Sequence, residues 1–101
     1  MNNRVAFRAE ALGKLEEAID WYESHGKGLG AEVLRAVEAA IAGLERNPQL
    51  YPILFGSVRR APVRRFPYSL IYTANDKDLL IIACFHGRRD PQRWKERLQS
   101  G

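Results

Sequence analysis

The stretch from Arg59 to Pro91, RRAPVRRFPYSLIYTANDKDLLIIACFHGRRDP, decides the fold of this chain. It opens with four arginines in seven residues, continues through an aromatic-rich segment and an apolar run, and closes on a histidine followed by two more arginines. The pattern predicts three strands, Val58 to Arg65, Tyr68 to Ala74 and Leu79 to His86, with a hairpin turn at Asn75 to Asp78. The third strand is apolar on both faces, which predicts a central position in a sheet.

The N-terminal half has helical periodicity after a short opening strand. Val5 and Phe7 alternate with polar or small residues from Arg4 to Arg8, and from about Ala9 the apolar residues recur at steps of three and four. The predicted buried stripes are Leu12, Leu15, Ile19 and Tyr22 on the first helix, and Leu34, Val37, Ile41 and Leu44 on the second. Gly26 is predicted to end the first helix as a left-handed cap, and Asn47-Pro48 to end the second. The region from Asn47 to Gly56 is predicted to be loop.

This order of elements predicts one α+β domain spanning residues 1–101. It comprises an N-terminal strand, an antiparallel helical hairpin packed on a mainly antiparallel four-stranded sheet, and a short C-terminal helix that begins at Asp90-Pro91. The helical hairpin should cover one face of the sheet. The other face is then available for binding.

Charge is distributed unevenly along the chain. Residues 1–46 carry 8 acidic and 6 basic side chains, whereas residues 47–101 carry 4 acidic and 10 basic ones. Twelve of the 16 basic residues are arginine, which suits recognition of phosphate or carboxylate groups. The sequence therefore predicts a polyanionic partner, either nucleic acid or an acidic protein segment.

Other features exclude several classes of protein. The single cysteine, Cys84, cannot form an internal disulfide and is predicted to be a buried, reduced thiol. No apolar run is long enough for a signal peptide or a membrane span, which predicts a soluble cytoplasmic protein. No spacing of histidine, cysteine and carboxylate residues resembles a metal site, and no cofactor motif is present.

The predicted hairpin also fixes an expected register. With Ala74 opposite Leu79, regular pairing places Ser69 opposite Cys84 and Pro67 opposite His86. Arg64 or Arg65, His86 and Arg88 would then form a cationic pocket around one imidazole. Such a pocket has the parts for metal-independent RNA cleavage, in which His86 acts as general acid or base and the arginines stabilise the phosphorane-like transition state.

Structural roles for the same residues are also consistent with the sequence. An arginine-rich strand can be a solvated face, and a histidine at a strand end often only forms hydrogen bonds. His25 lies at a helix end, where its position relative to the helix dipole is favourable.

Four segments together resemble a known family. AIDWYE (18–23), ERNPQLYP (45–52), RRFPYSLIYTAN (64–75) and IIACFHGRRDPQRWKERL (81–98), in this order after an opening strand, look like a toxin of the RelE/ParE superfamily of type II toxin-antitoxin systems. The resemblance covers nearly the whole chain. It implies a helical hairpin on an antiparallel sheet, and a cognate antitoxin that wraps and neutralises the toxin and binds operator DNA as a complex with it.

The superfamily has two branches with different targets. RelE-like toxins are ribosome-dependent endoribonucleases, and their catalytic positions correspond here to Arg64 or Arg65 and His86. The chain lacks the lysine pair and glutamate of that branch on the strand Arg59 to Arg65, and Gly87 stands where an aromatic residue often follows the histidine. The ending HGRRDPQRW is closer to the ParE-like branch, whose members poison DNA gyrase.

The resemblance therefore predicts a ParE-like growth inhibitor that acts on DNA gyrase and is neutralised by an acidic, amphipathic antitoxin segment. The alternatives are a ribosome-dependent mRNA endoribonuclease, with Arg64, Arg65, His86 and Arg88 as catalytic residues, and a non-toxic chain that only binds an antitoxin. The predicted binding residues are Arg59, Arg60, Arg64, Arg65, Arg88 and Arg89.

Overall fold

A computed structural model describes residues 4–86 and shows two helices and five strands. The order along the chain is β1 (Arg4–Phe7), α1 (Ala9–His25), α2 (Leu29–Arg46), β2 (Ile53–Phe55), β3 (Val58–Pro62), β4 (Tyr68–Ala74) and β5 (Asp78–His86). The predicted C-terminal helix, Arg88 and Arg89 lie outside the described residues. The α+β class, the opening strand and the helical hairpin are confirmed.

The five strands form one sheet in the order β1-β5-β4-β3-β2. β1 pairs with β5 in parallel, and the other neighbouring pairs are antiparallel. β5 lies inside the sheet, between β1 and β4, as its apolar composition predicts. The prediction of four strands was wrong by one, because β2 forms within the region predicted to be loop.

The helices pack on one face of this sheet and enclose the main core. Its largest fully buried side chains include Leu44, Leu70, Tyr72, Leu79 and Ile81. On the opposite face, a second cluster contains Val58, Ile71, Ile82 and Ala83. The face predicted to be available for binding is therefore partly apolar rather than uniformly basic. We call it the outer face.

The predicted helical stripes are confirmed except at Leu12 and Leu34: Leu15, Val37 and Leu44 are buried, and Ile19, Tyr22 and Ile41 pack against the main core. The buried positions are Ala11, Leu15 and Ala18 on α1, and Gly30, Val33, Val37 and Leu44 on α2. Leu12 and Leu34 are instead 44% and 41% exposed. Small residues take the closest positions because they let the helices approach each other and the sheet, and this moves the larger leucines toward solvent.

The turn between the helices is held by a side chain of α1. The Glu23 carboxylate accepts hydrogen bonds from the backbone N–H groups of Gly28, at 3.2 Å, and Gly30, at 3.0 Å. It thereby satisfies donors at the start of α2, where negative charge is favourable. Gly26, the predicted left-handed cap, is extended, with φ −175°, and Gly28 adopts the left-handed conformation instead, with φ 88°.

A bulge in β5 changes the predicted register. Ala74 pairs with Leu79 and Tyr72 with Ile81, as expected, but Ile71 pairs with Ala83 because Ile82 is an additional residue in β5. Ser69 therefore lies opposite Phe85, and Tyr68 rather than Pro67 lies opposite His86. The prediction of an uninterrupted ladder was wrong beyond the third pair.

Cys84 occupies the main core, as predicted for a buried thiol. Burial raises the pKa of this thiol from 9.0 to about 11. The folded state therefore favours the neutral thiol, and its contribution to stability is complete below pH 9 and is lost as the pH rises through about 11.

We expect iodoacetamide to alkylate Cys84 at pH 8 about 100-fold more slowly in the folded protein than in urea, because the thiolate is the reactive form. Mass spectrometry of timed samples measures both rates. Equal rates would show that this part of β5 opens readily under native conditions.

Candidate functional site

The arginines of the decisive stretch occupy different surroundings. Directly opposed residues of an antiparallel pair share a face, so Arg59, opposite Tyr72, lies on the helical side of the sheet. Arg60, opposite Ile71, lies on the outer face. Arg64 and Arg65 do not belong to a strand, because β3 ends at Pro62. The predicted strand Val58 to Arg65 was therefore too long, and only Arg59 and Arg60 lie on it.

Arg59 stabilises the segment that precedes β2. Its guanidinium donates a hydrogen bond to the backbone carbonyl of Tyr51. Close by, the buried Tyr72 hydroxyl donates to the carbonyl of Pro48 at 2.9 Å. Burial raises the pKa of Tyr72 above its ordinary value of 10.0, against the opposing effect of the Arg59 guanidinium. Arg59 therefore has a structural role that sequence reasoning did not predict.

Arg60 is exposed on the outer face and is anchored by one contact. Its Nε donates to the hydroxyl of buried Ser69 at 3.0 Å. Ser69 is the buried polar residue of the described chain, so this hydrogen bond both satisfies its hydroxyl and directs the arginine side chain. The planar end of the guanidinium keeps further donors for a partner.

Residues 63–67, which we call the arginine turn, connect β3 to β4. The backbone N–H of Val63 donates a hydrogen bond to the backbone carbonyl of Tyr68 at 2.9 Å and closes the turn. Arg65 adopts the left-handed conformation, with φ 73°, and is the one non-glycine residue with positive φ between residues 4 and 86. Such a backbone costs on the order of 1–3 kcal/mol and persists where the surrounding structure imposes it.

The two cations of the arginine turn differ in their contacts. A guanidinium nitrogen of Arg65 lies 3.6 Å from a carboxylate oxygen of Glu32, in the first turn of α2. Arg64 is exposed, and within residues 4–86 it forms no ion pair. Among the residues that the structure describes, the turn therefore presents one cation without an ion pair and one that is paired with the carboxylate of Glu32.

His86 lies beside the arginine turn but faces an aromatic ring. Because Ile82 is the additional residue of the bulge, His86 lies on the helical side, where its ring is 5.3 Å from that of Tyr68. Tyr68 follows the arginine turn directly in sequence. The expectation that His86 would pair with Pro67 was wrong, and a pocket that also contains Arg88 stays a prediction because Arg88 is outside the described residues.

An aromatic cluster that the sequence did not reveal connects this end of the sheet to α1. Tyr22 makes edge-on contacts with Phe66, at 5.1 Å between ring centroids, and with Tyr68, at 6.3 Å. The neighbouring Trp21, which is 54% exposed, stacks on His25 at 3.9 Å. His25 Nδ1 lies 2.8 Å from the Trp21 carbonyl and so donates to it. The aromatic residues of the segment WYESH (21–25) are evident in the sequence, but only the fold brings Tyr22 to Phe66 and Tyr68.

The described residues provide no group of histidine, cysteine and carboxylate side chains that could hold a metal ion. Within them there is also no helix of the length and apolarity that crossing a membrane requires. What the site offers is cationic and aromatic surface, which suits binding of carboxylate or phosphate groups.

Comparison with known proteins places these features in context. The model of the ParE toxin of the type II toxin-antitoxin system parDE matches residues 5–91. No curated protein matches the chain.

Three solved structures share the fold. The chromosomal ParDE toxin-antitoxin system of P. aeruginosa matches at 18% identity and TM-score 0.58, covering 83% of this chain and 95% of that one. The YoeB dimer of Staphylococcus aureus matches at 15% identity and TM-score 0.61, covering 85% of this chain and 99% of that one. The E. coli DinJ-YafQ toxin-antitoxin complex matches at 17% identity and TM-score 0.59, covering 85% of this chain and 93% of that one.

These structural likenesses concern the fold, and the family match over residues 5–91 concerns the sequence. Both agree with the resemblance carried by the four segments quoted above. The chain belongs to the ParE toxin family of type II toxin-antitoxin systems.

Proposed function

We propose that this toxin inhibits growth by acting on DNA gyrase, and that a cognate antitoxin neutralises it in the cytoplasm. The observation that carries the proposal is the ParE family match, which includes the whole described fold from residue 5 onward. Gyrase is the target that the resemblance implies for the ParE-like branch.

The contacts of the candidate catalytic residues support binding rather than cleavage. RNA cleavage needs a proton acceptor, a proton donor and positive charge at one phosphate. Here Arg65 is paired with Glu32, and the His86 ring lies against Tyr68. Of the four arginines between residues 59 and 65, Arg60 and Arg64 are exposed and have no carboxylate partner in the described ion pairs; they lie on the outer face and in the arginine turn respectively.

The antitoxin segment is proposed to be acidic and amphipathic. Its apolar side chains would lie on the exposed leucines of the helical hairpin and along the sheet edge at β2, where Ile53 is 52% exposed and Leu54 38%. Its carboxylates would contact exposed arginines. Opposite charge and ordered burial together favour folding of such a segment on binding. Operator DNA would be bound only by the complex.

One observation favours the endoribonuclease as second candidate. Tyr68 directly follows the arginine turn, and its ring contacts that of His86. The His86 imidazole therefore lies at the same end of the sheet as Arg64 and Arg65. If this end accepts mRNA in the ribosome, His86 would be the general acid or base, a role worth about 10² to 10⁴ in rate.

Expression without antitoxin, with pulse labelling of DNA and protein synthesis, tests the proposal. We expect DNA synthesis to fall first, supercoiling by gyrase to be inhibited in vitro, and His86→Ala to remain as toxic as the wild type. His25→Ala is the matched control, since it removes the other histidine of the chain.

Early loss of protein synthesis that His86→Ala abolishes would establish the ribonuclease instead. If neither synthesis falls and the chain still binds its antitoxin, it is a non-toxic antitoxin-binding protein.

A further inference from the structure

We propose that Glu32 is an intramolecular competitor that occupies Arg65 until a carboxylate of an acidic partner segment displaces it. This inference rests on the proposed antitoxin binding and adds a mechanism of regulation at the arginine turn. It would make Arg65 a selective contact, available only to a partner that outcompetes a carboxylate already in place.

The first argument is the ion pair itself. The Arg65 and Glu32 side chains approach to 3.6 Å, yet they are 73% and 38% exposed. A pair this accessible to water is weak, so it holds the guanidinium without locking it. An incoming carboxylate that brings additional contacts can therefore replace Glu32.

The second argument is the backbone of Arg65. Asparagine and glycine tolerate the left-handed conformation better than arginine does, yet arginine is present at φ 73°. The turn is fixed on both sides, by the Val63 hydrogen bond to Tyr68 and by the packing of Phe66 on Tyr22. The arginine turn is thus a rigid element that holds the Arg65 side chain near α2.

The third argument is the chemistry of the occupant. Glu32 presents to Arg65 the same carboxylate that an acidic peptide presents, and Arg64, next to it, has no carboxylate within the described residues. A segment with two nearby carboxylates would pair with Arg64 directly and with Arg65 by displacing Glu32. An acidic peptide is therefore the partner class that the geometry favours over nucleic acid.

The test is a double-mutant cycle with a defined probe. The probe is a fluorescein-labelled peptide in which glutamates alternate with leucines, titrated at low salt and followed by fluorescence anisotropy. The variants are Glu32→Gln, Arg65→Asn and the double variant, because asparagine tolerates the left-handed backbone. Glu38→Gln, which removes an exposed negative charge further along α2, controls for the change in net charge.

We expect Glu32→Gln to tighten peptide binding about 2- to 5-fold, which is the strength of an exposed ion pair. Glu38→Gln should change affinity clearly less, and the gain should vanish in the Arg65→Asn background. Thermal unfolding of each variant verifies that the fold is intact.

Equal gains from Glu32→Gln and Glu38→Gln, or a gain that persists without Arg65, would overturn the competitor while leaving antitoxin binding in place. Failure of the peptide to bind both the wild type and Glu32→Gln would overturn the acidic partner as well. An Arg65-dependent gain seen with a single-stranded oligonucleotide of equal charge, and not with the peptide, would overturn the assignment to a peptide.

Discussion

Replacing Tyr72 by alanine is expected to lower the free energy of unfolding by about 3–5 kcal/mol, as for other large aromatic residues removed from a core. The ring is completely buried in the main core, and its hydroxyl donates to the Pro48 carbonyl. The total free energy of unfolding of a domain of this size is about 5–15 kcal/mol, so this substitution would remove much of its stability. Urea denaturation followed by circular dichroism measures the change.

Two further variants separate the causes. Tyr72→Phe keeps the ring and removes only the hydrogen bond to Pro48, so a loss of about 1–3 kcal/mol is expected. Leu12→Ala removes an apolar side chain that is 44% exposed, and should cost much less than Tyr72→Ala. If Tyr72→Phe were as stable as the wild type, the hydroxyl would not be holding residues 47–52 against the sheet.

Reversing the charge of Arg60 and Arg64 together is expected to weaken antitoxin binding about 10- to 100-fold at low salt, mainly through slower association. Both side chains are exposed, and neither is paired with a carboxylate in the described residues. Surface plasmon resonance with the purified antitoxin gives both rate constants. The effect should shrink as salt is raised, because exposed charges are screened.

The choice of residues matters for this experiment. Arg59→Glu would remove the hydrogen bond to Tyr51 and place a negative charge close to Tyr72, so it would test folding rather than binding. The control is a double charge reversal of Arg35 and Arg46, which are exposed on α2. It changes the net charge of the protein by the same amount as the reversal of Arg60 and Arg64. An equal loss of affinity from control reversals would show that total charge, and not these two positions, governs association.

Local sequence signals were sufficient for most of the fold. The end of α2 at Asn47-Pro48 and the turn at Asn75 depend on backbone chemistry within a few residues. The Asn75 side chain accepts hydrogen bonds from the N–H groups of Lys77 and Asp78, as such turns commonly require. β2 escaped prediction because a three-residue edge strand, Ile53–Phe55, carries no periodic pattern of its own and forms only when β3 pairs with it.

The candidate site was less accessible to sequence reasoning because it depends on tertiary pairing. Nothing in the apolar run from Leu79 to Phe85 marks Ile82 as the residue that leaves the ladder, since every neighbour is equally suited to a buried strand. Likewise, Glu32 is one of many helical glutamates until the arginine turn brings Arg65 to it. Composition predicted the cationic and aromatic character of this end of the protein, but not which residues would meet.

The bulge at Ile82 makes the two ends of β5 independent of each other. Before it, the strand matches the hairpin and the parallel pairing with β1; after it, the alternation of side chains is reversed, so that Cys84 returns to the main core and His86 to the helical side. If Ile82 instead paired with Ile71 in a regular ladder, every later residue would change sides, and His86 would lie on the outer face while the hairpin stayed untouched. The presence of one bulge thus decides on which side of the sheet the histidine ring lies, with no substitution at the histidine itself.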